Sequence, residues 1–372
     1  MALFGIAVMV GPVLGPILGG WLTENYTWRW VFYINLPIGA LAFLGISRFL
    51  PESERNVGAR LDWFGFGTLS LAIGALQVLL DRGEQVDWFG SGEIWIEAIV
   101  AASAFYLFIV HAFTAEQPFV RPALFHDRNF AAGMIFIFIV GITYLASLAL
   151  ITPYLQNLMN FPIVTAGLVL GPRGIGTMAA MMIVGRLVGR VDTRLLLSIG
   201  LGLTAWSLYG MTGWTPDVSQ VTIMANGLVQ GVGLGFLFVP LSTVTMATLP
   251  PDQRTEGTGL FNLSRNIGSS VGISVVTSFL TQNTQANHTG IVQYVTAVNR
   301  VFEDSAIAQF WSPATDSGRA ALDAMITRQA QIIAYIDDFK LLMIATLAVI
   351  PLLIVFKQVP RRSGEDHALV IE

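Results

Sequence analysis

Arg173 stands on the string Gly171-Pro-Arg-Gly174, deep inside an apolar run from 164 to 185. A guanidinium at the middle of a membrane helix costs about 2.5–3.5 kcal/mol on insertion scales, so it requires a partner or a wet cavity. The chemistry on offer is ion pairing and hydrogen bonding, either to a bound substrate or to a proton-carrying acid. The competing reading is a guanidinium satisfied by carbonyls freed at Pro172. No carboxylate partner is evident, because Asp62, Asp81, Glu97, Asp337 and Asp338 all fall at or near the ends of apolar runs. Two further polar sets sit in such runs. Asn262, Arg265, Asn266 and Ser269 follow one another at i, i+3, i+4 and i+7, and Asn226 and Gln230 form an i, i+4 pair beside Gly227, Gly231, Gly233 and Gly235. Each set makes one polar helix face that lipid cannot satisfy, which predicts a face turned to a bundle interior. Cavity lining is one reading; interhelical hydrogen bonding, about 0.6 kcal/mol per pair, is the other. Tyr144, with Trp206 and Tyr209, would add aromatic surface for flat cations. The alternative role for such rings is packing or interface anchoring.

Covalent chemistry has no comparable foothold. The chain contains no cysteine, and its four histidines, at 111, 126, 288 and 367, are scattered without metal-ligand spacing. Gly268-Ser-Ser-Val-Gly272 spells G-x-S-x-G, but a nucleophile elbow needs a strand-to-helix turn and this string lies within an apolar run. A phosphate-binding G-x-x-x-x-G-K-[ST] is missing, and Lys340 and Lys357 are the only lysines. The expectation is therefore no enzyme, no metal and no cofactor.

The elements that must position these residues are membrane helices. Hydrophobic residues make up 54% of the chain and charged ones 12%, against about 25% charged in a soluble domain; the mean hydropathy is +0.65. Apolar segments at 2–22, 30–50, 62–80, 94–113, 130–152, 164–185, 195–212, 220–248, 257–280 and 339–356 predict an all-α integral membrane protein of about ten spans. The net charge of −4 gives no reason to expect a nucleic-acid partner. The start of the chain lacks the basic region of a signal peptide. Arg48, Arg55, Arg60, Arg121, Arg128, Arg186, Arg190, Arg194, Arg254, Lys357, Arg361 and Arg362 fall in one set of short loops and the tail; the opposite short loops hold only Arg29 and Arg82. That bias predicts both termini in the cytoplasm and the polar segment 281–338 outside. Within that segment, Ala320–Tyr335 reads as an amphipathic helix. The organisation is two helices over 1–50, two linking helices over 51–129, a six-helix bundle over 130–358 and a tail over 359–372.

Glycines recur every fourth residue at Gly11, Gly15 and Gly19, so they share one helix face, beside Pro12, Pro16 and Gly20. Such a stripe lets two membrane helices approach closely, and a plain packing face is its simplest reading. The full string Gly11, Gly15, Pro16, Gly19, Gly20 resembles the antiporter signature in the fifth span of drug:proton antiporters of the major facilitator superfamily. Trp28-Arg-Trp-Val-Phe-Tyr-Ile-Asn-Leu-Pro37-Ile-Gly39, Leu76–Phe89, Leu124-Phe-His-Asp-Arg-Asn129-Phe, Thr152-Pro-Tyr-Leu-Gln156 and Ala166–Gly174 are similar to later spans of the EmrB/QacA-type fourteen-span members. The resemblance implies the major facilitator fold and a multi-pass place in the bacterial inner membrane. It also implies proton-coupled export of small amphiphilic or cationic compounds, with the proton gradient as energy source. A periplasmic adaptor of the membrane-fusion type is the implied partner, beside the small-molecule substrate and the lipid bilayer. Gly185, Arg186, Gly189, Arg190 and Asp192 resemble a degenerate copy of the superfamily's basic cytoplasmic gate loop; an ordinary positive-inside loop would also place arginines there. The family's first four spans, with their titrating aspartate and their arginine, have no counterpart ahead of the glycine stripe. The chain accordingly reads as a fragment or a gene started at an internal methionine, which by itself is expected not to export. A non-transporting remnant, an assembly subunit and a passive channel are the alternatives.

Overall fold

The computed structural model describes residues 15, 18–49, 61–296 and 311–356 and contains no β-strand among them. After the helical residues 18–25 and a single turn at Trp30–Tyr33, the helices are α1 (Asn35–Phe49), α2 (Trp63–Arg82), α3 (Gly92–Thr114), α4 (Arg128–Pro153), α5 (Ile163–Leu187), α6 (Thr193–Met211), α7 (Gln220–Ala247), α8 (Arg254–Val292) and α9 (Asp316–Ala348). Apolar runs must be helical in lipid, because every backbone amide needs an internal partner there. Their starts are set by short polar side chains that take up an otherwise orphaned amide. Asp62 accepts from the Gly65 amide, Asp127 from Phe130, Asp192 from Arg194, Ser219 from Thr222 and Thr315 from Gly318.

Seven helices among the described residues are long and apolar enough to cross a membrane. α6 and α8 fall outside that set yet pack within the same bundle, at the places expected for spans 195–212 and 257–280. Most of the expected first span, 2–22, lies outside the described residues, as do Gly11 and Pro16 of the glycine signature.

The helix read over Ala320–Tyr335 is present as part of α9, but the bounds of the expected polar segment 281–338 require correction. α8 has 39 residues and α9 has 33, lengths of about 58 Å and 50 Å against a hydrocarbon core of about 30 Å. Helix therefore continues through 281–292, and α9 begins at Asp316 rather than near 339. The hydropathy of the chain falls where it leaves the membrane, not where the helix ends, so the sequence pattern cut both helices short. His288 Nε2 on α8 lies 2.9 Å from Asp323 Oδ1 on α9 and ties the two extensions together. The expected last span, 339–356, is not one α-helix either: α9 stops at Ala348 and a 3₁₀ segment containing Pro351 follows over Ile350–Val355.

α4 to α9 form a bundle in which α5 lies along α7, α4 along α8, and α6 between α7 and α9. Two glycines show how closely these helices meet. A Cβ built on Gly231 of α7 would run into the Arg173 carbonyl of α5, and one on Gly268 of α8 into the Phe138 carbonyl of α4. α2 and α3 make a separate pair docked on α8, where Ser274 Oγ donates to the Leu80 carbonyl at 2.9 Å and Arg121 meets Glu256. The N-terminal segment touches the start of α5: Gly20 abuts the Ile163 carbonyl, and the Val164 amide donates to Glu24 Oε2 at 3.4 Å. α1 has no buried residue, and Gly15 and Gly19 meet nothing within 4 Å among the described residues. The helix approach expected along the glycine stripe is thus not made by the described part of this chain.

Candidate functional site

Arg173 is only 5% exposed. Its position follows from the glycine contact between α5 and α7, which brings the two backbones together at this residue. One terminal nitrogen, Nη2, donates to the Tyr144 carbonyl at 3.1 Å and to Ser147 Oγ at 3.0 Å, both on α4. The guanidinium also lies 4.8 Å from the centroid of the Tyr144 ring. Gln230, 1% exposed on α7, donates from Nε2 to the same Ser147 Oγ at 3.2 Å. Three helices thus converge on one serine hydroxyl. Arg173 Nε and Nη1 and Gln230 Oε1 remain buried without a hydrogen-bond partner among the described residues. This cluster offers two unsatisfied donors, one unsatisfied acceptor and an aromatic face, all in an apolar surround. Such groups are costly to bury unpaired, so they are suited to a guest that completes them.

The structure brings together Arg173, Gln230 and Tyr144 from the sequence candidates and leaves the others apart. Asn226 lies over Gly210 and receives a bond from Ser207 Oγ to its carbonyl at 2.8 Å, which makes it an α6–α7 contact. Asn262 donates back to the Thr258 carbonyl of its own helix at 3.0 Å, and Asn266 is exposed. Arg265 stacks 5.6 Å from the Phe238 centroid, while Ser269 Oγ bonds the Arg265 and Gly141 carbonyls. The expected continuous polar face on α8 is therefore divided between intrahelical bonds, packing and a helix–helix contact. Trp206 and Tyr209 are 68% and 63% exposed on the outside of the bundle and line no interior surface. Of the loop candidates, Gly185, Arg186 and Arg190 are exposed, Gly189 takes a left-handed φ of 86°, and Asp192 caps α6. The turn shortens the α5–α6 connection, and the neighbouring Arg194 reaches across to the Phe356 carbonyl.

Two features escaped the sequence reading. Ser147 is the hub of the cluster, and its only signal was the Tyr144/Ser147 i, i+3 spacing on an apolar helix. Asp338, assigned to a helix end, is instead 0% exposed in the interior of α9. The continuous helix from Asp316 explains this: the residue precedes the apolar run by sequence but lies well inside the helix.

Comparison with known proteins shows what the chain as a whole is similar to. The Major Facilitator Superfamily profile matches residues 1–273. The chain is 32% identical to "Multidrug export protein EmrB" of Haemophilus influenzae over 99% of its own length and 72% of the relative's. It is 31% identical to "Fatty acid resistance protein FarB" of Neisseria gonorrhoeae, over 99% of this chain and 73% of that protein. For "Multidrug export protein EmrB" of Escherichia coli the identity is 32%, over 80% of this chain and 59% of the relative.

Proposed function

The chain belongs to the major facilitator superfamily, and we propose that it exports small amphiphilic compounds by exchange against protons. It is a multi-pass protein of the bacterial inner membrane and a transporter rather than an enzyme. The observation that carries the substrate side of the proposal is the Arg173–Ser147–Gln230–Tyr144 cluster, with a buried cation whose Nε and Nη1 have no partner among the described residues. Those donors suit a hydrogen-bond-accepting or anionic head group, with the apolar remainder of the guest against the surrounding helices. A cationic guest has Gln230 Oε1 and the Tyr144 ring to meet, but it must tolerate the guanidinium. The names of the relatives, multidrug export and fatty acid resistance, agree with amphiphilic cargo of either kind. The paired extensions of α8 and α9 beyond the bundle supply a surface on which a periplasmic adaptor would dock.

The test uses inside-out vesicles from cells expressing the protein from its chromosomal gene, with either a fluorescent fatty acid or ethidium supplied in the outer medium. A pH gradient should drive accumulation of the probe, and Arg173→Ala should lower the rate by about tenfold or more, equivalent to at least 1.4 kcal/mol. Flux that ignores the gradient would point to a passive channel. Unchanged flux in folded Arg173→Ala protein would remove the cluster from the transport path.

A further inference from the structure

Asp338 is fully enclosed, and neither carboxylate oxygen has a hydrogen-bond partner among the described residues. Tyr335, one turn earlier on α9, and Phe339 beside it belong to an aromatic layer with Tyr154 just past α4 and Trp214 just beyond α6. The ring centroids in this layer are 5.3 Å apart for Tyr154 and Tyr335, 5.7 Å for Tyr154 and Trp214, and 5.8 Å for Trp214 and Phe339. Tyr154 and Trp214 are also buried, and the Tyr154 hydroxyl and Trp214 Nε1 lack partners as well. The charged groups around this layer are engaged elsewhere or belong to other shells. Asp337 pairs with Lys340 at 3.1 Å, Arg328 bonds the Leu158 carbonyl, and His288 of α8 pairs with Asp323. Asp217, in the connection after α6, acts on Tyr154.

An ionised carboxylate in such a place would be left without solvent or counter-charge, at a cost that proteins avoid by keeping the acid neutral. A proton is the guest that removes that charge. The layer also rests on a weak point of α4. Immediately after Pro153 the helix widens into a π turn over Tyr154–Leu158, and Arg328 Nη2 of α9 donates to the Leu158 carbonyl at 2.9 Å, closing that turn onto α9. Proline and π turns are where helices bend. Ser147, the hub of the Arg173 cluster, lies two turns along the same face of α4 from Tyr154, about 10 Å away.

We propose that Asp338 is an acid that takes up and releases a proton during exchange, at the end of the bundle opposite Arg128, Arg186 and Arg254. While the π turn is closed on α9 the carboxyl group holds its proton. When the turn opens, water enters, the O–H bond breaks heterolytically, and the proton passes to water, leaving the carboxylate; closure reverses the step. This rests on the proton-exchange reading and adds the residue that would perform it.

Infrared spectroscopy of protein labelled with carbon-13 aspartate tests the first half. Wild-type protein at neutral pH should show the C=O absorption of a protonated acid, and Asp338→Asn should lack it while keeping the wild-type melting temperature, since an amide replaces a neutral acid of equal shape. The same spectrum in both proteins would overturn the proposal. The second half is read in vesicles as the ratio of gradient-driven ethidium transport to gradient-free ethidium exchange. That ratio should fall by about tenfold in Asp338→Asn, a loss of 1.4 kcal/mol of coupling. Gradient-driven transport retained in full by the variant would refute the role of Asp338 and leave proton exchange standing. Wild-type transport indifferent to the gradient would sink both.

Discussion

Glycines of the same helical spacing occur in two regions of this molecule and meet opposite surroundings. On α7 and α8 they are the points where helices touch: Gly231 faces the Arg173 carbonyl and Gly268 the Phe138 carbonyl, with no room for a Cβ. At the N-terminal end Gly15 and Gly19 stand in open space among the described residues, and α1 exposes Trp30 before it and Phe43 and Phe49 within it. The spacing tells which helix face can be approached, not what approaches it. In the bundle the approach has a chemical consequence, because the α7 backbone fixes the segment of α5 that carries the buried guanidinium.

The sharpest break between the regions should appear on filling the glycines. Gly231→Leu drives a side chain into backbone that has nowhere to move, so a loss of about 3 kcal/mol or more is expected, the upper part of the overpacking range. Gly19→Leu should leave the thermal unfolding of the purified chain unchanged. Equal damage at both sites would show that the N-terminal stripe has a partner and would dissolve the contrast.

A second, smaller difference concerns charge. Arg173→Met removes an enclosed cation whose Nε and Nη1 have no hydrogen-bond partner among the described residues. The variant should unfold at a higher temperature than wild type, by at most the roughly 2.5–3.5 kcal/mol that such a charge costs in a membrane, while losing transport. The bonds to Tyr144 and Ser147 and the ring contact offset part of that gain. The N-terminal counterpart is Arg29, whose guanidinium lies 5.4 Å from the Trp28 centroid on an exposed surface. Arg29→Met should change stability by less than about 0.5 kcal/mol. A destabilised Arg173→Met protein would mean that the guanidinium is structural glue.

The same division governs what the sequence made legible. Helical class, the family, and most span positions followed from apolar run length and from strings such as Gly171-Pro-Arg-Gly174, which are local properties. Arg173, Gln230 and Tyr144 were singled out because a polar group in an apolar run is conspicuous wherever it packs. Their convergence on Ser147 was not visible, since one serine in a membrane helix is unremarkable and the meeting of α4, α5 and α7 is a long-range fact. The α8 stripe misled for the converse reason: Asn262 and Ser269 satisfy themselves on carbonyls of their own helix, an option that periodicity ignores. Asp338 was lost because hydropathy marks where the membrane ends and cannot mark where a helix ends.

A smaller effect than at Gly231 or Arg173 should come from the polar latch of the linking pair. Asp62, just ahead of α2, accepts the amides of Gly65 and Phe119 at 2.9 Å each, and His111 Nε2 of α3 lies 2.9 Å from its Oδ1. Burial alone would raise the pKa of this carboxyl group, but the two backbone bonds and His111 outweigh it and hold the pKa below the ordinary value. A carboxylate whose pKa is lower in the folded state stabilises that state above the unfolded pKa of about 3.9, and the benefit disappears as the pH falls from there through the folded value. Amide hydrogen exchange should therefore show the Gly65 and Phe119 amides losing protection on acidification below about pH 4. Amides of α5 and α7 around Arg173 and Gln230 should keep theirs, since no carboxylate is bonded into that cluster. Asp62→Ala should cost about 1 kcal/mol, the usual worth of a helix N-cap, felt in α2 and α3 and not in the bundle. Loss of protection in both places at the same pH would show that the linking pair and the bundle unfold as one unit, and the two-region description would have to be abandoned.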